Sequence, residues 1–461
     1  MQADAPSFRL SLACFGGVLL IIGIGLFAFA VSLHSLLFMA LLWASCCALL
    51  QGHPYQEIRD FMSAAVTRAL PAIQIFILIG MVIASFIKAG TIATLMYFGL
   101  DWLSPALFLP IGMLLCAIMS VATGTSWGTV GTLGVVFIGM GSAMGIPLPV
   151  VAGMVVCGAT FGDKMSPVSD TTNLAAMSAD TNLYRHIYVM LYTTLPSFVL
   201  ALVIFTLLGT GYANNEFRAD ELLDIRQALT GEYRFSPLIT LLPIAVLAVL
   251  SIRRFAPEVT MSLSVVVAVL VAIIYQHQDP VAVLNSLWAN TPGTTGLESI
   301  DELLGRGGIS SMSYTLILAV LAITLGGILH GAGFLTVLLA GIISRIKRTT
   351  SLLATTILSG MIGNMGLGEA YISIILNCQL FQQKFDEAGL ERAMLSRSVE
   401  EGATLTTPLI PWTTAGAFYT ATLGVPVLDY IGFAFFNYLN GIIAVIMAAL
   451  GLGLFRSTGR N

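Results

Sequence analysis

The sequence GATFGDKMSPVSDTTNLAA occupies Gly158–Ala176, at the end of a long apolar run. Gly158, Gly162 and Pro167 disfavour a continuous helix through it, and most of its other residues carry acidic, hydroxyl or amide groups. Backbone groups in lipid must be satisfied within the protein, so a non-helical stretch at membrane depth lines a cavity or is buried. The segment therefore predicts a broken membrane helix that carries a polar site.

The composition places the rest of the chain in a membrane. Of 461 residues, 57% are hydrophobic and 10% are charged, and the mean hydropathy is +0.91. Soluble domains are about 25% charged, whereas a membrane span needs about 20 mostly apolar residues. Runs of that length recur throughout the chain. We expect an all-α polytopic membrane protein with about 11–13 membrane segments, some of them discontinuous or re-entrant.

The charge pattern argues against nucleic acid as a partner, whereas the apolar runs predict the lipid bilayer as one. The formal net charge is -4 at pH 7, and no basic cluster exceeds a few residues. The first apolar run lacks the cleavage pattern of a secretory signal, so we expect it to be retained as a helix. The six cysteines lie in apolar stretches without metal-type spacing, which indicates packing residues and no cofactor.

A weak internal repeat divides the chain into two halves. The sequence AGTIATL at 89–95 matches AGFLTVL at 332–338, and polar glycine-rich breaks recur at nearly the same offset. TGTSWGT at 123–129 corresponds to GNMGLGEAY at 363–371, and SPVSDTTN at 166–173 corresponds to TPLIPWTT at 407–414. Many secondary transporters consist of two such halves with broken helices at equivalent positions. Chance similarity is the alternative, because Gly, Ala, Leu and Thr dominate this composition.

The repeat predicts the domain organisation. We expect two structural repeats in inverted orientation, which requires a suitable number of spans between them. The predicted segments are N-terminal helices over 1–66, a first repeat with the ion-binding motif over 67–209, a connecting segment with two spans and polar loops over 210–311, and a second repeat with a C-terminal helix over 312–461.

The polar residues of Gly158–Ala176 form a set of hard oxygen ligands. Such ligands suit alkali cations, whereas transition metals favour His or Cys, and this segment has no histidine. Ionisable residues within a bilayer are costly unless paired, which makes them functional candidates. A solvated loop between two helices is the alternative. Asp163 and Asp170 are the predicted carboxylate ligands of the metal ion, and the neutral ion-binding residues are Ser166, Thr171, Thr172 and Asn173.

The second half offers fewer charged candidates. Glu369, in GLGEAY, is a predicted further ion-binding residue, with a helix-end glutamate near water as the alternative. Glu400 and Glu401 precede the later break, and we interpret them as ordinary acids at a helix start. Hydroxyl groups at the breaks of both halves would suit a transported organic substrate. The predicted substrate-binding residues are Thr125, Ser126, Thr406, Thr407 and Thr413.

Several other conspicuous residues have ordinary explanations. Lys88 and His330 are equivalent in the two halves, and we interpret both as side chains that reach the membrane interface. Trp127 and Trp412 are interpreted as packing or interface aromatics. The remaining histidines lie near span ends or in loops and receive no role: His34, His53, His186 and His277.

Two motifs resemble a known family. GATFGDKMSPVSDTTNLA, at 158–175, resembles the hallmark of the NhaC-type sodium/proton antiporters, which also include malate/lactate exchangers. TGTSWGTVGTLG at Thr123–Gly134 is similar to the other polar break of that family. The resemblance covers most of the chain. It implies a two-repeat transporter of Na⁺ and H⁺ in the bacterial inner (cytoplasmic) membrane, and a homodimer. It does not fix the substrate, because the wider family also moves organic acids and amino acids.

The resemblance and the ligand set together indicate exchange by competition at one carboxylate. Burial disfavours a charged aspartate, so a proton or a sodium ion satisfies it, whereas the empty anion is reluctant to cross. A salt bridge with Lys164 would keep Asp163 ionised, which makes Asp170 the first choice. We therefore predict that Asp170→Asn abolishes sodium-dependent proton movement.

Other functions are less well supported by the residues. A Na⁺- or H⁺-coupled carrier of a small carboxylate or an amino acid could hold its substrate at helix N-termini, but neither break contains an arginine. An enzyme is not expected, because an intramembrane aspartyl protease needs two facing aspartates and no HExxH zinc motif is present. A passive channel is disfavoured by the duplicated broken-helix plan.

Overall fold

The computed structural model describes residues 5–102, 104–212, 219–343, 346 and 348–457. Within these ranges the backbone is helical or looped, apart from an isolated β-bridge between Leu390 and Arg456. The predicted all-α class is therefore confirmed. Side-chain caps mark several helix starts, as where Ser7 Oγ accepts the Leu10 N–H at 3.3 Å.

The helices of the first half and of the connecting segment follow in chain order. They are α1 (Phe8–Phe27), α2 (Leu33–Gln51), α3 (Tyr55–Lys88), α4 (Thr91–Trp102), α5 (Pro105–Thr123), α6 (Ser126–Thr129), α7 (Val135–Ala143), α8 (Leu148–Met165), α9 (Asp170–Ser178), α10 (Leu183–Gly211), α11 (Ala219–Glu232), α12 (Pro237–Thr240), α13 (Leu242–Ile252), α14 (Pro257–Leu270), α15 (Pro280–Ser286) and α16 (Glu298–Leu304). Two π-helical stretches, Val130–Gly134 and Val271–Tyr275, continue α6 into α7 and extend α14.

The second half has the same kind of construction. Its helices are α17 (Ile309–Gly331), α18 (Phe334–Ile343), α19 (Thr349–Leu367), α20 (Ala370–Glu387), α21 (Arg392–Gly402), α22 (Thr414–Leu423), α23 (Val427–Tyr430) and α24 (Phe435–Ala449). Short 3₁₀ turns lie at Thr407–Leu409 and Ile431–Phe433.

Several of these helices are suited to cross a bilayer. Among the described residues, eight are long and apolar enough, and a ninth span results if Val427–Phe433 and Phe435–Ala449, bent by 54°, cross together. The eight are α1, α2, α3, α5, α8, α10, α14 with its π-helical end, and α17. The number is below the 11–13 segments predicted, because breaks and short apolar helices such as α13 and α18 divide the other runs. The chain is a multi-pass membrane protein.

Helix α3 of the first half packs against α17 of the second half, and the two helices run in opposite directions. At one level the Gly308 N–H donates to the Gly80 carbonyl oxygen at 2.7 Å. Further along, a Cβ added to Gly327 would lie 2.7 Å from the Phe61 carbonyl oxygen. The residue numbers therefore rise along one helix as they fall along the other. Glycine allows this close approach of two backbones.

The first half contains a helical hairpin whose tip lies within the protein. Helix α5 ends at Gly124, whose φ of 69° reverses the chain, and Thr125 caps α6 directly after it. The π-helical stretch then carries the chain on into α7. The predicted polar break at 123–129 is thus the turn of this hairpin.

Helix α8 packs along α5 in the same direction and then breaks. A Cβ added to Gly158 would lie 2.4 Å from the Met113 carbonyl oxygen, and one added to Gly162 would lie 2.4 Å from the Ala117 carbonyl oxygen. Beyond Met165 the backbone leaves the helix over residues 166–169 and resumes as α9. The glycines noted in the sequence therefore bring the end of α8 against the hairpin.

The second half repeats this arrangement. Helix α19 ends at Gly368, also with a φ of 69°, and Glu369 caps α20, which folds back on α19. Helix α21 ends at Gly402, and a largely non-helical stretch leads to Thr413, the cap of α22. A hairpin and a broken helix are thus present in each half.

The equivalent breaks are evenly spaced along the chain. Gly124 and Gly368 are 244 residues apart, and the helix caps Thr125 and Glu369 share that spacing, as do Ser169 and Thr413. The boundary predicted at 66/67 falls within α3, and α17 begins three residues before the boundary predicted at 312. Two inverted repeats stay a prediction, which the equal spacing and the antiparallel α3 and α17 support.

Candidate ion-binding site

Asp163 is a buried carboxylate in the last turn of α8. Its Oδ2 accepts a hydrogen bond from Ser126 Oγ at 2.7 Å, and its Oδ1 accepts one from Ser169 Oγ at 2.5 Å. Both serines are buried. Ser126 belongs to the hairpin tip and Ser169 to the break after α8, so the carboxylate connects the two irregular segments of the first half. Hydrogen bonds to an ionised acceptor are the stronger kind.

Local sequence explains why these groups meet. Thr125 Oγ1 accepts the Gly128 N–H at 3.3 Å, which starts α6 and places Ser126 in its first turn. Gly162 lies against Ala117 and Ser120 of α5, because no side chain separates the two backbones there. Asp163, the next residue, thus reaches the tip of the hairpin.

The other predicted ligands of this segment mainly hold its backbone. Ser166 Oγ donates to the Val121 carbonyl oxygen at 2.8 Å, and Asn173 Nδ2 donates to the carbonyl oxygens of Pro167 and Ser169 at 3.0 and 2.7 Å. Thr171 Oγ1 lies 3.1 Å from Ser169 Oγ, beside the carboxylate. The structure therefore brings Thr171 to the site and uses Ser166 and Asn173 to brace the break.

Asp170 and Thr172 have different surroundings from Asp163. Asp170 is the first residue of α9 and its side chain is exposed. The buried Thr172 Oγ1 lies 3.2 and 3.1 Å from the carbonyl oxygens of Asp163 and Lys164, and 3.3 Å from Glu400 Oε1. Its hydroxyl connects the end of α8 to α21 and is not directed at the Asp163 carboxylate.

The break of the second half is organised by an amide. Asn364 Nδ2 donates to the Ala403 carbonyl oxygen at 2.6 Å and lies 2.9 and 3.0 Å from the hydroxyls of Thr406 and Thr407. Its Oδ1 is buried and has no hydrogen-bond partner within the described residues. Asn364 is not among the residues predicted from the sequence, although GNMGLG at 363–368 contains it as the polar residue of a glycine-rich turn.

Glu369 and Thr413 are helix caps of the second half. The buried Glu369 accepts the Ile372 N–H through Oε2 at 3.2 Å. Its position is thus that of a helix-end residue, as in the alternative interpretation, but its side chain is not near water. Thr413 Oγ1 accepts the Gly416 N–H at 3.2 Å and donates to the Ile410 carbonyl oxygen at 2.8 Å. Glu369 therefore lies at the hairpin turn of the second half, and Thr413 lies at the end of its break.

Aromatic rings close the space between the two halves. The rings of Trp127 and Phe418 are stacked with centroids 4.7 Å apart, and Phe76 meets both edge-on. Trp412 Nε1 donates to the Met365 carbonyl oxygen at 2.9 Å. Trp127 thus packs a hairpin tip of one half against α22 of the other, and Trp412 braces the second break.

A buried charged cluster lies next to Asp163. We define it as five side chains from α8, α10 and α21, each no more than 1% exposed: Lys164, His186, Arg397, Glu400 and Glu401. His186 Nε2 lies 3.1 Å from Glu400 Oε2, and Arg397 Nε lies 3.7 Å from Glu401 Oε1. Thr193 Oγ1 donates to Glu401 Oε1 at 2.5 Å.

The charged cluster corrects the expectation for Glu400 and Glu401 and shows which residues His186 contacts. Glu400 and Glu401 are not acids at a helix start, because α21 ends at Gly402 and both side chains are buried. Their sequence, SRSVEEGATL, gives no sign of whether a helix begins or ends there. The buried His186, which received no role, contacts Glu400 and Ser396. Only the packing of α10 against α21 brings these residues together.

The salt bridge considered between Asp163 and Lys164 is absent from the described residues. Lys164 Nζ is fully buried there without a hydrogen-bond partner or an ion pair. Its electrostatic neighbours are Glu401 and Glu400. The position of Lys164 therefore does not exclude Asp163 as the exchanging carboxylate.

Two other kinds of site find no support in this geometry. GTSWG at 124–128 matches the G-x-S-x-G pattern of hydrolases, which needs a strand–turn–helix and a histidine partner. Here it joins two helices, and Ser126 donates to Asp163. Over the described ranges, no group of three or more His, Cys, Asp or Glu side chains is placed to hold a metal ion. The available donors at Asp163 are one carboxylate with hydroxyl oxygens, which suits an alkali cation.

Comparison with known proteins agrees with this arrangement. A family model described as the Na⁺/H⁺ antiporter family matches residues 7–169 and 158–452. The Na⁺/H⁺ antiporter NhaC of Alkalihalophilus pseudofirmus is 35% identical over 445 residues, which is 96% of each chain. The malate-2H⁺/Na⁺-lactate antiporter of Bacillus subtilis is 30% identical over 87% of this chain and 85% of its own. The arginine/ornithine antiporter ArcD of Halobacterium salinarum is 32% identical over 97% and 92%. This chain belongs to the Na⁺/H⁺ antiporter family.

Proposed function

We propose that this chain exchanges Na⁺ for H⁺ across the cytoplasmic membrane by alternating access, with Asp163 as the shared binding group. The observation that carries the proposal is a buried carboxylate that has two hydroxyl partners and no cationic partner among the described residues. An unpaired buried charge is costly, and a bound proton or sodium ion removes that cost. Because both ions need the same oxygens, binding of one excludes the other.

The charges around Asp163 support competition at this residue. Glu400 acts on Asp163 electrostatically, and Lys164 is close to both glutamates. With every acid and base ionised and His186 neutral, Asp163, Glu400 and Glu401 oppose only Lys164 and Arg397. One negative charge is then left over, and a single proton or sodium ion at Asp163 neutralises it. Loaded states are therefore suited to cross the membrane, whereas the empty state is not.

The sodium ligands follow from the same geometry. Ser126 and Ser169 each keep oxygen lone pairs free while their hydroxyl hydrogens point at Asp163, and Thr171 lies next to Ser169. These oxygens come from the hairpin tip and from the break, which contact the second half through Trp127 and Phe418. A movement of one half against the other would expose the site to alternate sides, as in transporters that are built from two inverted halves.

The proposal is tested with two aspartate variants measured together. Sodium-dependent proton movement is recorded in everted membrane vesicles from cells without other sodium/proton exchangers. Asp163→Asn should abolish this proton movement. The amide carries no negative charge for sodium and cannot take up and release a proton, so the two ions no longer compete. Asp170→Asn, at an exposed side chain, should retain measurable exchange. The amounts of each variant in the membrane and the thermal stability of each purified variant control for folding.

Two outcomes of this experiment would count against the assignment. Exchange at wild-type rates in Asp163→Asn would remove Asp163 from the mechanism. Loss of exchange in Asp170→Asn with full activity in Asp163→Asn would return the role to Asp170, as expected from the sequence alone.

A second candidate is a Na⁺- or H⁺-coupled exchanger of a small carboxylate or an amino acid. The observation in its favour is the set of polar groups at the second break, where the buried Asn364 Oδ1 lacks a partner and Thr406 and Thr407 lie nearby. Two relatives carry names of organic exchangers. Counterflow of labelled malate, lactate, arginine and ornithine in proteoliposomes distinguishes the two, because a pure cation exchanger accumulates none of them.

A further inference from the structure

His186 is a buried titratable group that competition at Asp163 does not use. Its Nε2 lies 3.1 Å from Glu400 Oε2, and its Nδ1 lies 2.7 Å from Ser396 Oγ. By contrast, the described histidines His34, His53 and His330 each leave a buried ring nitrogen without a partner. Both nitrogens of His186 are thus held by side chains on α21.

The hydrogen bonds around His186 are complete in two protonation states. In the neutral state Ser396 donates to Nδ1, and the Nε2–H donates to Glu400. In the charged state the Nδ1–H donates to Ser396, whose own hydroxyl turns to the Ala393 carbonyl oxygen at 3.1 Å. Histidine is the side chain that gains and loses a proton near neutral pH, so this site accommodates one additional proton without an unsatisfied group.

A short polar connection joins this pair to Asp163. Thr172 Oγ1 lies 3.3 Å from Glu400 Oε1 and 3.2 Å from the Asp163 carbonyl oxygen. His186 itself is in the first turn of α10, where the neighbouring Tyr184 is 69% exposed. His186 is thus only two residues from an exposed side chain, and a charge on it would act on the sodium site through buried protein, where electrostatic interactions are strong.

The helices packed against this part of α10 differ in the charged groups that they carry. Helices α5 and α24 carry no Asp, Glu, Lys, Arg or His within their bounds. At the surface, Arg185 pairs with Glu391, and Arg392 pairs with Asp180 and Asp386. The remaining groups belong to α8, α9 and α21: Asp163, Lys164, Asp170, Arg397, Glu400 and Glu401.

We propose that His186, paired with Glu400, is a second proton-binding site that is coupled to the sodium site at Asp163. A proton on His186 adds positive charge near the cation site and lowers its affinity for sodium. By linkage, sodium binding at Asp163 releases protons from both Asp163 and His186. The inference rests on the proposed exchange, and it predicts that more than one proton leaves for each sodium ion that binds.

The number of protons released on sodium binding tests this directly. Calorimetric titrations of the purified protein with NaCl, in buffers of different ionisation enthalpy, give that number at each pH. We expect a value between about one and about two near neutral pH for the wild type, because competition at one carboxylate releases at most one proton. In His186→Gln the value should fall to about one or below at every pH, with sodium still bound.

Control variants separate a specific effect from a general one. His53→Gln is the matched control, because His53 Nδ1 also lies within 2.9 Å of a glutamate, Glu57, but at the start of α3; its proton release should equal that of the wild type. Ser396→Ala keeps the imidazole but removes the hydroxyl that accepts the Nδ1–H, and should also reduce the number. This second variant keeps the test valid if His186→Gln does not fold.

Specific results would overturn the inference. A wild type that releases at most one proton between about pH 5 and pH 8, the range in which histidine side chains generally change charge, has no second coupled proton. The same holds if His186→Gln and Ser396→Ala release as many protons as the wild type. If Asp163→Asn still binds sodium and releases protons normally, then the proposed exchange site itself is wrong, and the coupling to it is wrong as well.

Discussion

Asp163 and Asp170 lie seven residues apart in one polar segment, yet the structure gives them different chemistry. Asp163 is enclosed at the end of α8 and accepts hydrogen bonds from Ser126 and Ser169, whereas Asp170 is exposed at the start of α9. A carboxylate in water needs no partner ion, but a buried one does. At the scale of single residues, exclusion of water therefore makes one aspartate the better candidate for obligatory exchange.

The two serine hydroxyls should each contribute to sodium affinity. Ser126→Ala and Ser169→Ala each remove one oxygen ligand and one hydrogen bond to the ionised carboxylate, which is worth about 1.5–3 kcal/mol. We expect the sodium concentration for half-maximal exchange to rise by about tenfold or more in each variant. Ser262→Ala is the control, because Ser262 is exposed and donates only within α14, to the Glu258 carbonyl oxygen. Equal sodium dependence in all three variants would contradict the ligand assignment.

Broken helices position these residues at the scale of elements. A continuous α8 would carry Ser169 about 9 Å along the helix axis from Asp163, since each residue rises 1.5 Å. The break over 166–169 turns the chain back, so that the Ser169 hydroxyl meets the carboxylate of its own helix end. Gly158 and Gly162 are equally necessary, because they let α8 approach the hairpin that supplies Ser126.

Close packing of α8 on α5 makes Gly162 sensitive to any side chain. A Cβ there would lie 2.4 Å from the Ala117 carbonyl oxygen and 2.5 Å from Ser120 Cβ, so Gly162→Ala must push the helices apart. Overpacking of this kind costs about 1–3 kcal/mol. We expect a clear fall in the thermal unfolding temperature of the purified protein, together with a higher sodium concentration for half-maximal exchange.

Gly23→Ala provides the comparison for this prediction. Nothing lies within 4 Å of a Cβ added to Gly23 in α1, and alanine favours a helix. Its unfolding temperature should be unchanged or slightly higher. Similar stability of Gly162→Ala and Gly23→Ala would show that α8 and α5 are not closely packed at this position.

At the scale of the whole molecule, the site lies where the two halves meet. The first half supplies Asp163 and its serines, and the second half supplies α21 with Glu400 and Glu401, as well as α22 with Phe418. A site shared in this way responds to any movement of one half against the other. The contact of Gly80 in α3 with Gly308, the residue before α17, is a second junction between the halves.

The stack of Trp127 on Phe418 should couple the halves energetically. Aromatic pairs contribute about 0.5–1.5 kcal/mol beyond the area they bury, so the double variant Trp127→Ala/Phe418→Ala should lose less stability than the sum of its single variants. Thermal unfolding of the four proteins in the same detergent measures this coupling. A cycle with Trp127 and Phe198 serves as the control, because Phe198 packs against Phe161. Additive losses in both cycles would show that Trp127 and Phe418 are not energetically coupled.

The sequence by itself determined the class of the protein and the location of its breaks. Hydrophobic composition requires helices that bury their backbone groups in lipid, and Gly124, Gly162, Pro167 and Gly368 mark places where those helices end or approach each other closely. It also determined that Asp163 lies in such a place, because an acid beside helix breakers in an apolar chain is conspicuous. These are local properties, which neighbouring residues fix.

Only the tertiary structure decided which polar residues meet. Ser126 and Asp163 are 37 residues apart, and His186 and Glu400 are 214 apart, so no local pattern relates them. The choice between Asp163 and Asp170, the buried position of Glu400 and Glu401, and the role of Asn364 all depend on how α8, α10, α19 and α21 pack. Burial sets the cost of an unpaired charge, and burial is a property of packing between distant segments and not of sequence order.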